Sequence, residues 1–174
     1  MKIKKRPVLL IGFMGAGKST VGQALSKRNQ CSFIDLDQYI SKCEKRTIPE
    51  IFEQDGELGF RLYEFQYLKQ ALKNYDIIAT GGGIISFDQT FNFLKTVDAD
   101  IIWLDAPFPD LYQRIKNDSN RPNVKSKDAR AVKHLYSSRL SRYNEIAFIK
   151  ITTKETLTQT LSEIENVLFA NDQY

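Results

Sequence analysis

The chain has 174 residues, 42% hydrophobic and 26% charged, with a formal net charge of +4. That composition suits one globular domain, residues 1–174, with chain enough to bury a core. It excludes a collagenous or disulfide-stapled chain, since there are only 9 Gly, 5 Pro and 2 Cys.

Cys31 and Cys43 have no metal-ligand partners at useful spacing. No apolar run approaches membrane-spanning length, and the basic start lacks the apolar region of a signal peptide. A cytoplasmic protein with no membrane partner is expected. Lys2, Lys4, Lys5 and Arg6 run straight into an apolar segment, so they read as a solvated edge rather than a nucleic-acid arm. The excess positive charge fits a protein that handles anions, and phosphates satisfy that without nucleic acid.

In chain order, Pro7 to Ile11 is a short apolar run suited to a buried strand. It leads into Gly12-Phe13-Met14-Gly15-Ala16-Gly17-Lys18-Ser19, which fits the phosphate-binding pattern G-x-x-x-x-G-K-[ST]. Glycines let the main chain come close to phosphate and aim several N–H donors into one concavity. Lys18 supplies a mobile point charge and Ser19 a hydroxyl for Mg²⁺. Val21, Ala24, Leu25 and Arg28 follow at helical spacing, so the loop opens a helix whose N-terminus faces the phosphates.

A second strand, near Ser32–Ile34, is followed by Asp35-Leu36-Asp37. In extended chain the two carboxylates would point the same way. One could hold Mg²⁺ through water, the other accept a proton or bind a polyol. A helix N-cap is the plainer alternative. Thr47 to Phe52 reads as a cap and a short helix with Pro49 near its start. Leu58, Leu62, Phe65, Leu68 and Leu72 then mark the apolar face of a longer helix. Glu57, Arg61 and Glu64 share another of its faces, either as a solvated ion-pair ladder or as a rigid clamp for a carboxylate.

A third strand, Ile77–Ala79, runs into Thr80-Gly81-Gly82-Gly83. Three glycines together suggest a loop where backbone approaches a ligand closely. Lone Trp103, on a fourth strand at Ile101–Leu104, is expected in the core, and lone His134 on the surface. Arg114 to Asp128 is strongly polar and contains Arg121, so a mobile lid over about 115–128 is expected. The next helix carries Arg139 and Tyr143 on one face, and a fifth strand is expected at Phe148–Ile151.

Five strand-like runs alternating with helical patterns predict an α/β fold. Its five-stranded parallel sheet would be flanked by helices on both faces. Ligands would gather at the carboxyl ends of the strands.

Taken together, the motifs resemble those of shikimate kinase over nearly the whole chain. They are the Gly12–Ser19 loop, Asp35-x-Asp37, Gly56-Glu57-x-x-Phe60-Arg61-x-x-Glu64, Gly81-Gly82-Gly83, Arg121-Pro122 and Arg139-x-x-x-Tyr143. The resemblance implies a P-loop fold of the nucleoside monophosphate kinase class. It implies transfer of the ATP γ-phosphoryl group to the 3-hydroxyl of shikimate, in aromatic amino-acid biosynthesis, with Mg²⁺; a monomer is expected. Asp37, Arg61, Gly81, Gly82, Gly83 and Arg139 would bind shikimate. Asp37, Lys18 and Arg121 would serve the chemistry. Gly15, Ala16, Gly17, Lys18, Ser19, Thr20, Arg114 and Arg121 would meet the nucleotide, with Ser19 and Asp35 holding the metal. The sequence departs from the family pattern at Ser41, where Glu is usual, at Arg46, where Gly is usual, and at Asn123-Val124 and Ser141-Arg142. Rival readings are a gluconate or nucleotide kinase, or a nucleotide-binding regulatory module without catalysis.

Overall fold

The computed structural model describes residues 6–116, 128–153 and 156–171. Its elements run β1 (Val8–Ile11), α1 (Lys18–Asn29), β2 (Phe33–Asp35), α2 (Leu36–Glu44), α3 (Ile48–Asn74) and β3 (Ile77–Ala79). A 3₁₀ turn (Ile84–Ser86), α4 (Asp88–Leu94), β4 (Asp100–Asp105), α5 (Phe108–Ile115), α6 (Ala129–Ile146), β5 (Ile149–Thr152) and α7 (Leu157–Asn171) follow. The strands form one parallel sheet in the order β2-β3-β1-β4-β5.

β1 sits at the centre and is buried throughout. Successive side chains of a strand point to opposite faces. Accordingly Val8 and Leu10 enter one core, with Val21 and Leu25 of α1, Leu111 and Ile115 of α5, and Ile164 and Leu168 of α7. Leu9 and Ile11 enter the other, with Leu36 and Ile40 of α2, Phe60 and Leu68 of α3, and Tyr143 of α6. The expected sheet covered on both faces is therefore the observed one. Trp103 is in the core and His134 is exposed, as expected.

The expected strand bounds shift by one residue or so, and β2 runs on to Asp35. Of the apolar face read into α3, Leu68 is buried and Leu72 packs on the core, but Leu58 and Leu62 are 63% and 49% exposed. The helix instead turns Phe60, Arg61, Glu64, Tyr67, Leu68 and Ala71 inward. Two of those six are charged, so apolar residues alone misplace the buried face over its first turns after Gly56. Thr47 does cap α3, in a reciprocal box with Glu50, and Pro49 lies in the first turn. Non-helical Gly56 kinks α3 and separates the short leading segment from the rest.

Candidate active site

β1 ends in the glycine-rich loop, and α1 starts at Lys18, so the unpaired N–H groups of its first turn open onto a cavity. The cavity holds about 510 Å³. Gly15 to Thr20, Asp35, Asp37, Gly81, Gly82 and Arg114 all line it, so β1, β2, β3 and α5 contribute to one crevice at the strand ends. Lys18 is nearly buried and donates from Nζ to the carbonyls of Gly12 and Phe13, at 2.8 and 2.9 Å. Its ammonium is thereby fixed over the loop. Arg114 donates to the carbonyl of Gly15 at 2.9 Å, joining α5 to the same loop.

Asp35 bears out the plainer reading of the acidic pair, a helix N-cap, and also meets the phosphate loop. One carboxylate oxygen accepts from the Gln38 amide at 3.1 Å and caps α2. The other accepts from the Ser19 hydroxyl. Capping thus leaves the second carboxylate oxygen directed at the loop. Asp37 differs from expectation in its backbone. α2 begins at Leu36, so Asp37 stands in the first turn of a helix, and strand alternation is not what aims it.

Gly81 and Gly83 explain the glycine run by close approach. A Cβ on Gly81 would lie 2.8 Å from Oε1 of Glu64 and 3.1 Å from Oδ1 of Asp37. One on Gly83 would lie 2.9 Å from the guanidinium carbon of Arg61. Behind the loop lies a buried polar cluster. Arg61 donates to Glu64 at 2.7 Å and to the exposed Glu57 at 3.3 Å. Tyr143 donates its hydroxyl to the carbonyl of Gly82. Arg139, 8% exposed, lies with its guanidinium 5.6 Å from the Phe13 ring centre.

The two guanidiniums are not equivalent. Burial lowers the pKa of Arg61, but Glu64 and Glu57 outweigh it and the net shift is upward. Arg139 is shifted down, by burial first and by Arg61 as well. It is therefore a buried cation with incomplete compensation, and Nε of Arg139 has no hydrogen-bond partner among the described residues. Such a group favours a carboxylate ligand, which a guanidinium fork can hold bidentately. Arg142 is used elsewhere: it donates to the carbonyl of Ile85 at 2.8 Å and pairs with Asp88 at 2.7 Å.

Glu64, one of the three charged residues at ion-pair spacing on α3, is fully buried. Burial chiefly, then Asp37, raises its carboxyl to about 7, although Arg61 and Arg139 pull the other way. Its three-residue offset from Arg61 was the available signal. Thr80, at the head of the glycine run, also lines the cavity, as do Thr153, Leu157 and Thr160, which no sequence motif marks. Arg61 and Arg139 are buried and, with Gly83, are not among the residues that line the cavity. Arg121 and most of the expected lid lie outside the described residues.

The family model for shikimate kinase matches residues 14–169. The chain belongs to the shikimate kinase family. It is 50% identical to the shikimate kinase of Staphylococcus haemolyticus (strain JCSC1435) over 165 residues, covering 95% of each chain. It is 46% identical to that of Staphylococcus aureus (strain N315), covering both chains in full. Among solved shikimate kinases, the Acinetobacter baumannii enzyme in complex with shikimate superposes with a TM-score of 0.89 at 32% identity, over 95% of this chain and 94% of that one. The Aquifex aeolicus enzyme gives 0.81 at 32% identity, over 96% and 98%. The sheet is thus the P-loop, nucleoside monophosphate kinase-like sheet of the shikimate kinases. No helix among the described residues is long and apolar enough to cross a membrane.

Proposed function

We propose that the protein is an ATP-dependent kinase that phosphorylates the 3-hydroxyl of shikimate, giving shikimate 3-phosphate and ADP for aromatic amino-acid biosynthesis. The observation that carries this reading is the sharing of one cavity by the Gly15–Thr20 phosphate loop and Asp37, with buried Arg61 against Gly83 and buried Arg139 over Phe13. A phosphate donor and a small hydroxylated carboxylate need those two ends.

The roles follow from the chemistry of each group. The loop amides and Lys18 cradle the phosphates and offset charge as it moves toward the β/γ bridge. Asp37 accepts a hydrogen bond from the attacking hydroxyl and orients it or takes its proton. Arg61, held by Glu64 and Glu57, and Arg139 bind the shikimate carboxylate, while the Gly81–Gly83 backbone approaches the ring. Arg114 lies at the nucleotide end, and Arg121 is assigned to the transferring phosphoryl group.

Mg²⁺ fits the residues present. The Ser19 hydroxyl and Asp35 carboxylate, in contact at the cavity mouth, are hard oxygen donors. With so few protein ligands the metal would depend on phosphate and water oxygens, and when bound it supplies charge neutralisation. We take the enzyme to act as a monomer. We place the enzyme in the cytoplasm, where its donor is made.

A coupled assay of ADP release tests the reading. Release should depend on shikimate and stay at background with gluconate or nucleoside monophosphates. Preference for either of those would overturn it.

A further inference from the structure

One buried acid has no part in the function just described. Asp105 ends β4 and is 6% exposed. Its carboxylate pairs with Lys150 of β5 at 2.9 Å and accepts from the Tyr136 hydroxyl of α6, at 3.1 and 3.3 Å. Its carbonyl accepts from the amide of Thr153 at 2.8 Å and from its hydroxyl at 3.2 Å. Thr153 lines the cavity, so Asp105 is tied to its wall.

Tyr136 leads in the other direction. Its ring meets Phe13 of the phosphate loop edge-on, with centroids 5.3 Å apart. Arg139 lies over the same Phe13 ring. It stands three residues after Tyr136 and four before Tyr143, so all three share a face of α6. Two phenols therefore bracket the guanidinium. Tyr143 is tied to Gly82, and Tyr136 to Asp105. The ring contacts with Phe13 hold the helix against the loop, and the hydrogen bonds at the two phenols tie it on either side of Arg139.

We propose that Tyr136 and Asp105 form a positioning pair that fixes the turn of α6 carrying Arg139, and so aims its guanidinium at the substrate carboxylate. The inference rests on the assignment of that carboxylate to Arg139. Burial, and then Asp105, pushes the Tyr136 phenol up to about 12, so it remains a donor at neutral pH. Neither residue touches a reacting group, so the pair acts through placement alone.

The test uses steady-state kinetics of the full chain, with melting temperature recorded alongside. Tyr136→Phe keeps the ring on Phe13 and removes only the hydroxyl. KM for shikimate should rise about three- to tenfold, the worth of one net hydrogen bond, with kcat and KM for ATP within about twofold of wild type. Asp105→Asn keeps an acceptor for the phenol and should raise KM for shikimate less than Asp105→Ala does. Arg139→Lys is the control for the underlying assignment. If Arg139→Lys raises KM for shikimate and Tyr136→Phe does not, the positioning inference fails while the assignment stands. If Arg139→Lys leaves that KM unchanged, the assignment fails and the inference with it. A fall in kcat alone in Tyr136→Phe, or equal effects of Asp105→Asn and Asp105→Ala, would also overturn the pair.

Discussion

Arg61 donates to Glu64 at 2.7 Å, and the two side chains are only 7% and 1% exposed. A surface pair at this spacing contributes a few tenths of a kcal/mol, whereas removing one partner of a buried pair strands a charge. Here the pair lies against the glycine loop, next to Asp37. Glu64 holds Arg61 in place and brings a second carboxyl close to the proposed acceptor. Those two consequences can be separated by pH.

Because the folded chain raises the Glu64 carboxyl to about 7, folding is favoured by its protonation. The contribution is present in full below the ordinary carboxyl range and is lost as pH rises through about 7. Glu64→Gln has no proton to lose. Urea unfolding at pH 5 to 8 should therefore show the stability difference moving in favour of the variant as pH rises, by on the order of 2 kcal/mol. A difference moving toward the wild type would refute the raised carboxyl.

Asp37 and Arg61 should fail in different ways. Asp37→Asn keeps the shape and loses the acceptor charge, so turnover should collapse by orders of magnitude while ATP affinity holds. Arg61→Lys keeps the charge and loses the fork. It should weaken shikimate binding by about 1.5–3 kcal/mol with ATP little altered. Ligand titrations and turnover on each variant check both. Normal turnover in Asp37→Asn, or weakened ATP in Arg61→Lys, would reverse the assignments.

Lys18 is anchored on the carbonyls of Gly12 and Phe13, so its charge is held in place before any reaction. Fixed charge acts where new charge develops. Lys18→Ala should lower kcat by about 100-fold or more, the scale of a lost oxyanion-type donor. Single-turnover measurements at saturating ATP are the check, and near wild-type turnover would exclude the role.

Much of this was legible in the sequence because the informative signals were local. The apolar run before Gly12 and the helical spacing after Ser19 were enough to place the loop at the end of a buried strand. What stayed open depended on neighbours distant in sequence. Whether Arg61 and Glu64 face solvent or the core is decided by Gly81 and Gly83, some twenty residues on. Whether Arg142 shares the site with Arg139 is decided by Ile85 and Asp88. Leu58 and Leu62 misled because they look like a core stripe, while the buried face carries two charges whose partners lie on one helix.

The glycines offer the last separation, between the two ends of the site. A Cβ at Gly83 would press on the Arg61 guanidinium, whose partners Glu64 and Glu57 leave it little freedom to retreat. Overpacking of this kind costs about 1–3 kcal/mol. Gly83→Ala should therefore raise KM for shikimate about tenfold, with KM for ATP unchanged. At Gly17 the space around a Cβ is open, but φ is +89°, which an L side chain adopts only under strain. Gly17→Ala should disturb the loop by about 1–2 kcal/mol and raise KM for ATP instead. Measuring both KM values on both variants gives a crossed pattern if the cavity has a nucleotide end and an acceptor end. Parallel losses in the two variants would mean that the glycines support the fold in common and that the two ends are not separate.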